Sequence, residues 1–389
     1  MLLHEHCICN CPGPLAGWSS PLGRIHLIKY IGSKRLLVPR IVSVVTALGG
    51  GRVMDVFSGT SRVGRALKAQ GMQVIANDQL AYAATLGRCY VQADATEVRG
   101  EVERVLAELR QVAPRPGYFT ETFCEKARFF HPKNGARVDA MRDRIAALSL
   151  APDIEAVCLV SLMEAADRVD STTGVQMAYL KQWAARANND LELRMPDILP
   201  GRGEALQMDA IDAVRAREVD VAYLDPPYNQ HRYLGNYHIW ETLVRWDAPE
   251  TYGIAQKRVD CRERHTPFNS RKQIHDALAA LIRDARARHL VVSFSNEGFV
   301  TMDELAGLLA ERGHVGVVAT QMKRYVGATI GQHNPQGERV GTISHLHNKE
   351  FLFVASPDQS ALTAAMDALG AEEYSNSGSV QLQLPLASR

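Results

Sequence analysis

Four consecutive residues, Asp225-Pro226-Pro227-Tyr228, hold the groups best suited to do chemistry in this chain. They follow the apolar run Val221–Leu224, which reads as a buried strand, and open α/β sheets bind ligands beyond the carboxyl ends of their strands. Two prolines cannot continue a central strand and instead fix a rigid, extended turn. Such a turn sets the Asp225 carboxyl and the Pro226 carbonyl side by side as acceptors. Paired acceptors can take both hydrogens of an aryl amine and rehybridise its nitrogen towards a nucleophile. Tyr228 adds a face on which a planar base can stack.

A second group of residues suits a nucleoside. DVFSGTSRVG (Asp55–Gly64) is a glycine-containing turn between a strand and a helix. Glycine there admits close approach of a ligand, and the helix start offers free N–H groups. The spacing of Gly59 and Gly64 is not that of the dinucleotide fingerprint. Asp78 ends the next strand, where an acid in a Rossmann-like sheet accepts hydrogen bonds from ribose hydroxyls.

The elements that must position these groups follow from the hydrophobic pattern. Helical spacing runs from about Val38 to Leu48 and is stopped by Gly49–Gly51. Strand Val53–Phe57, the turn, a helix to Ala69 and strand Met72–Asp78 form the first βαβ unit of a doubly wound sheet. From about Glu97 to Asn189 the chain turns rich in Ala, Leu, Arg and Glu at helical spacing, and is expected to be a mostly helical insertion. The sheet pattern resumes with EALQMDA, Val219–Asp225, Leu290–Ser295, His314–Gln321 and Glu350–Ala355. The division expected is a loose leader (1–23), a catalytic domain (24–96 and 203–356), the helical insertion (97–202) and a tail (357–389).

These segments together resemble the Dam-like (alpha) group of adenine-specific DNA methyltransferases. The matching elements are YIGSKRLL (Tyr30–Leu37), DVFSGTSRVG, AND (Ala76–Asp78), EALQMDA, DPPY and SFSNEG (Ser293–Gly298). The run DPPYNQHRYLGNYHIWETLVRWDAP looks especially like restriction-modification methylases. The resemblance implies a Rossmann-like S-adenosylmethionine-dependent methyltransferase fold with a helical insertion for target recognition. It implies methyl transfer from S-adenosylmethionine to the 6-amino group of an adenine flipped out of double-stranded DNA, and a cognate restriction endonuclease as a partner. It implies that Tyr30 and Lys34 contact the cofactor, Lys34 near its carboxylate or the active site. Asp55, Phe57 and Gly59 would shape the methionine pocket, Asp78 would hold the ribose and Asp209 the adenine amine. Asp225, Pro226, Pro227 and Tyr228 would be catalytic. The family's F-x-G-x-G reads FSGTS here, with Ser61 at the second glycine. The same chemistry on RNA or on the cytosine 4-amino group, or a non-catalytic nucleic-acid-binding protein on this fold, are the alternatives.

Among 389 residues, 46% are hydrophobic and 22% charged, and the net charge of +1 means that a DNA surface must come from local segregation of charge. The segment 257–272 provides it, with Lys257, Arg258, Arg262, Arg264, Arg271 and Lys272 read as a phosphate-contacting mobile loop beside the active site. Lys126, Arg128, Lys133 and Arg137 offer charge in the insertion. His4, His6, Cys7, Cys9 and Cys11 lack the C-x₂-C spacing of structural zinc sites, and no metal is expected. Scattered cysteines, no secretory signal and no apolar run of roughly 18 residues favour a cytoplasmic enzyme with reduced thiols.

Overall fold

The computed structural model describes residues 27–32, 34–323, 347–369 and 382–384. The His/Cys-rich leader lies outside the described residues. Among those described, no helix is long and apolar enough to cross a membrane.

The chain first packs helix α1 (Val38–Ala47) through Val38, Ile41, Val42, Val44 and Val45; proline in its first turn matches the fixed φ of a helix start. Strand β1 (Arg52–Asp55), helix α2 (Arg62–Ala69) and strand β2 (Gln73–Asn77) then form the expected βαβ unit, with β1 and β2 parallel. Strands β3 (Glu204–Leu206) and β4 (Val219–Leu224) add in parallel to β2 and β1 respectively. All of β1 but Arg52 and all of β4 but Asp220 are buried, as strands covered on both faces require. The Asp220 carboxylate accepts the Gly51 and Arg52 N–H groups and so aligns the start of β1.

The rest of the sheet comes from β7 (Ala287–Ser295), β8 (His314–Lys323), β9 (His347–Ser356) and β10 (Leu382–Leu384), while β5 (Thr251–Tyr252) and β6 (Lys257–Arg258) make a separate small hairpin. The order is β10-β8-β9-β7-β4-β1-β2-β3. Five parallel strands end with β7, and β9 enters antiparallel between β7 and β8. From β1 the chain proceeds to β2 and β3 on one side, then crosses to β4 and β7 on the other. That reversal opens a crevice at the carboxyl ends of β1 and β4, the place where doubly wound sheets take ligands.

One face of the sheet is covered by α8 (Ala210–Ala216), α11 (Ile274–Asp284) and α12 (Met302–Ala310), the last closed by a Thr301–Glu304 capping box. The other carries α1, α2 and α13 (Gln359–Asp367). A third core belongs to the helical body: α3 (Ala81–Gly87), α4 (Ala95–Gln111), α6 (Pro132–Ala147) and α7 (Pro152–Arg168), joined by Leu27 and Ile28, by Tyr233 of the short α9 (Tyr233–Asn236) and by α10 (His238–Arg245). Helix α7 is its axis, with Ile154 and every residue from Ala156 to Asp167 buried.

Asp139 of α6 ties a tight corner in that body. Its carboxylate accepts the N–H groups of Gly117, Phe119 and Thr120 and the Thr120 hydroxyl, at 2.6–2.9 Å, at the start of the short helix α5 (Tyr118–Thr120). Truncation would strand buried donors, each costly to leave unpaired. Asp139→Ala should therefore lower unfolding free energy by about 2–4 kcal/mol in denaturant titration. A loss below about 1 kcal/mol would show that the amides find other partners.

Candidate functional site

Strand β1 delivers Asp55 to the crevice, and the turn after it is unusually tight. Gly59 (φ +50°) and Ser61 (φ +57°) both lie in the left-handed region, and the Ser61 N–H donates to the Ser58 carbonyl at 2.6 Å. A Cβ at Gly59 would stand 3.2 Å from the Tyr30 hydroxyl, so conformation and space both select glycine there. Ser61 pays strain to do what glycine does freely, and its buried hydroxyl has no partner among the described residues.

Three acids gather at this edge. Asp55 is buried; its Oδ2 accepts the Gly64 N–H at 3.0 Å, while Oδ1 has no partner among the described residues. Burial, against the Gly64 hydrogen bond, pushes it up to about 8. Asp78, just beyond β2, accepts the Gly59 and Leu80 N–H groups at 3.0 Å, and burial pushes it up to about 6 despite those bonds. Asp225 follows β4 directly, raised by burial and restrained by Lys34. The Lys34 ammonium stands 3.1 Å from Asp225 Oδ1 and 3.3 Å from Glu350 Oε2. Burial works against the Lys34 charge, but these two carboxylates outweigh it and hold the pKa above its ordinary range.

All three acids open into one cavity of about 1160 Å³, counting the space at its mouth. Tyr30, Lys34, Phe57, Gly59 and Asp209 line it too. Asp209 caps α8 by accepting the Ile211 N–H, and Phe57 meets Phe268 edge-on at 5.3 Å. Of the tetrapeptide, Asp225 and Pro227 face the cavity; Pro226 is buried, and Tyr228 is half-buried with its ring tilted at 61° to Phe294, 5.7 Å away. The phenol of Tyr228 is pushed up to about 12 by burial. Thus the corner is neither sealed nor turned away from the cavity that Asp78 lines.

Sequence reasoning missed two supports of the wall. One is the stack of Tyr30 between Tyr233 (5.3 Å, 11°) and Tyr237 (4.5 Å, 13°), with the Tyr237 hydroxyl accepting the Ile31 N–H at 2.6 Å. The NYH run carries Tyr237, but nothing local says which ring it meets. The other is Glu350, whose only local signal is a charge, next to that of Lys349, just before the apolar run Phe351–Ala355.

The basic segment departs from the expectation of a mobile, phosphate-facing loop. It is folded: it contains β6 and two short 3₁₀ turns, Val259–Cys261 and Pro267–Asn269. Arg258 is buried, bidentate to Asp247 at 2.7 Å and bonded to Asp260 at 3.0 Å, so it does not present its charge to a phosphate. Arg264 lines the cavity but pairs with Glu241 at 2.8 Å; Arg262 lies 3.8 Å above the Tyr252 ring and Arg271 5.0 Å from that of Phe299. Lys257 is half-buried and Lys272 exposed. In the helical body Lys126 pairs with Glu121 and Lys133 with Asp190, Arg128 donates to the Lys181 carbonyl, and Arg137 reaches the Arg110 carbonyl.

Comparison with known proteins gives a family. The model for the D12 class N6 adenine-specific DNA methyltransferases matches residues 30–304. The type II methyltransferase M.NlaIII of Neisseria lactamica is 28% identical over 340 residues, covering 83% of this chain and all of that protein. The type II methyltransferase M.FokI of Planomicrobium okeanokoites is 30% identical over 308 residues, and the modification methylase StsI of Streptococcus sanguinis 27% over 310. Those two matches cover 74% and 75% of this chain and 47% of either relative, so the chain spans about half their length.

Ser61 offers a direct check on the turn. Ser61→Gly removes both a left-handed side chain and an unpartnered buried hydroxyl, at the entropic cost of one glycine. It should raise unfolding free energy by about 0.5–1 kcal/mol, read as a higher denaturation midpoint. A destabilised variant would mean that the hydroxyl is bonded after all.

Proposed function

The chain belongs to the D12 class N6 adenine-specific DNA methyltransferases, and from that premise we propose that it moves a methyl group from S-adenosylmethionine to the 6-amino group of an adenine extruded from double-stranded DNA. The observation that carries this reading is the sharing of one cavity by the Asp225 corner and the nucleoside-type acid Asp78. The relatives are modification methylases, and we read this chain as the modifying half of a restriction-modification pair, with a cognate endonuclease as its partner. The helical region 97–202 is assigned to target recognition, alongside the catalytic domain 24–96 and 203–356.

The residues suit the donor. Asp78 supplies a carboxylate to ribose hydroxyls, and Asp209 one to an adenine amine. Asp55 Oδ1 is a buried acceptor in need of a donor, which the methionine ammonium would be. Tyr30, Phe57 and Gly59 shape the wall between them. When bound, S-adenosylmethionine supplies a methyl group already activated on a sulfonium, so the protein has to orient and stabilise rather than activate.

In the same cavity, Asp225 and the Pro226 carbonyl would accept the two amine hydrogens and aim the nitrogen lone pair. As nitrogen takes the methyl, with the carbon–sulfur bond breaking to leave a neutral thioether, it becomes positive; the Asp225 carboxylate would offset that charge where water is scarce, and the surplus amine proton would then pass to solvent. Pro226 and Pro227 hold the two acceptors without rearrangement, and Tyr228 provides the ring beside the base. Flipping exposes the amine that duplex stacking otherwise hides.

Two experiments test the reading. With tritiated donor and unmethylated DNA, label should appear as 6-methyladenine, and Asp225→Ala should cut the rate roughly 100-fold or more while donor binding persists. Label in 4-methylcytosine or in RNA, or undiminished transfer by Asp225→Ala, would overturn it. The second concerns pH. Because ribose hydroxyls at Asp78 and the methionine ammonium at Asp55 both donate better to an ionised acid, and burial pushes these acids up to about 6 and about 8, donor affinity should rise as pH climbs from 5 to 8. Titration calorimetry at each pH reads this directly; Asp78→Asn should bind weakly and lose the lower half of the slope. Flat affinity in the unaltered protein would remove the assigned roles of both acids.

A further inference from the structure

Lys34 has two acidic partners, only one of which belongs to the catalytic corner. Glu350 is the other, and it comes from 125 positions later in the chain than Asp225 (350 against 225). Topology explains the meeting. Strand β9 is antiparallel to β7, with Glu350 opposite Ser295, so its early residues lie at the edge where the parallel strands finish. Lys34 approaches from the segment before α1, where its carbonyl accepts the Leu37 and Val38 N–H groups at 2.8 Å. Side chains of Lys34, Asp225 and Glu350 retain 9%, 20% and 14% exposure, so their charges meet with little water to screen them.

We propose that Glu350 is a positioning residue for methyl transfer: by sharing the Lys34 ammonium, it keeps that ammonium from neutralising Asp225 and leaves the Asp225 carboxylate able to receive the adenine amine. The inference rests on the reading of Asp225 given above. An ammonium 3.1 Å from Asp225 Oδ1 occupies the kind of position that an amine hydrogen needs. With Asp225 as its sole partner, Lys34 would compete with the base and cancel the charge that offsets the developing positive nitrogen. A second carboxylate 3.3 Å from Nζ gives Lys34 somewhere to lean when the base arrives. One ammonium between two carboxylates also leaves the cluster with a net negative charge, which suits a reaction whose nitrogen turns cationic.

The surroundings bear on any pH effect. Asp55 faces Asp225 from the end of β1, Glu297 faces Glu350 from beyond β7, and Tyr223, Tyr228 and Tyr233 face the cluster as neutral phenols held above their ordinary range by burial. Lys34 is the cation common to both carboxylates.

The test is Glu350→Gln, which keeps the shape and removes the charge. Methylation kcat should fall roughly 10- to 100-fold with donor affinity unchanged. Withdrawing a neighbouring negative charge makes Asp225 more acidic, so the acid limb of the kcat profile should move to lower pH even as the plateau drops. In a Lys34→Met background, Glu350→Gln should lower kcat far less than it does alone, because only the direct field of Glu350 is then left to remove. Should Glu350→Gln fail to fold, Glu350→Asp carries the test, with an intermediate kcat and an unmoved acid limb. A drop of equal size in both backgrounds, an acid limb that stays in place in Glu350→Gln, or wild-type kcat would each overturn the proposal. If those results come with normal Asp225-dependent adenine methylation, only the role of Glu350 falls; an unaltered protein that transfers no methyl to adenine takes both readings down.

Discussion

Placing several carboxylates in one poorly hydrated crevice is the constraint around which this protein is arranged. Charged oxygens lose solvation there and repel one another, so each must be met by donors or accept a proton. The fold answers differently for each acid. Asp78 is met by the backbone N–H groups of Gly59 and Leu80, Asp55 by the Gly64 N–H on one oxygen only, and Asp225 by the Lys34 ammonium. Asp55, with one oxygen bare, is raised further than Asp78, to about 8 against about 6. Incomplete coordination in the free protein is what leaves acceptors for a ligand to complete.

The turn between β1 and α2 has to satisfy that demand within a few residues. It must bring Gly59 under the Asp78 carboxylate, keep clear of the Tyr30 ring and start α2 soon enough for Gly64 to reach Asp55. Two left-handed positions accomplish it, at Gly59 and at Ser61. The roof of the crevice is fixed from farther away. The segment after the Asp225 corner sends Tyr237 to the Ile31 backbone and His238 to the Gln176 carbonyl at 3.0 Å, while Glu241 accepts the Tyr82 N–H and an Arg264 bond. Burial among Phe123 and Phe129 pushes His238 down to about 3, so it serves as a neutral tie between the corner and the helical body.

Legibility of this chain from its sequence divides along physical lines. The βαβ start, the later strands and the acids at strand ends were legible because each depends on local spacing: an apolar run dictates a buried strand, and the polar residue that ends the run must lie at the sheet edge. The helical body was legible as helices for the same reason. Contacts made by residues far apart in the chain were not. Lys34 to Glu350 spans 316 positions, and the tyrosine stack joins Tyr30 to residues beyond 230. Charge alone also misled: Arg258 looks like its basic neighbours, yet Asp247 and Asp260 hold it inside. Whether an arginine faces phosphate or carboxylate is decided by partners that a list of charges does not reveal.

The same carboxylates couple ligand to stability. An acid raised by burial favours the folded state most where it is protonated, and that contribution is lost as pH rises from its unfolded value through its folded one. For Asp78 and Asp55 the loss falls between about 4 and 8. At neutral pH the ligand-free crevice has therefore lost most of that contribution, Asp78 as a desolvated charge and Asp55 by holding a proton that the unfolded chain would release. A ligand that donates to those oxygens recovers the loss, because binding to the folded state alone adds to its stability. Filling the crevice with apolar side chains would avoid the loss without a ligand, but it would remove the acceptors that make a site, so the stability given up at this edge and the capacity to bind have a common origin.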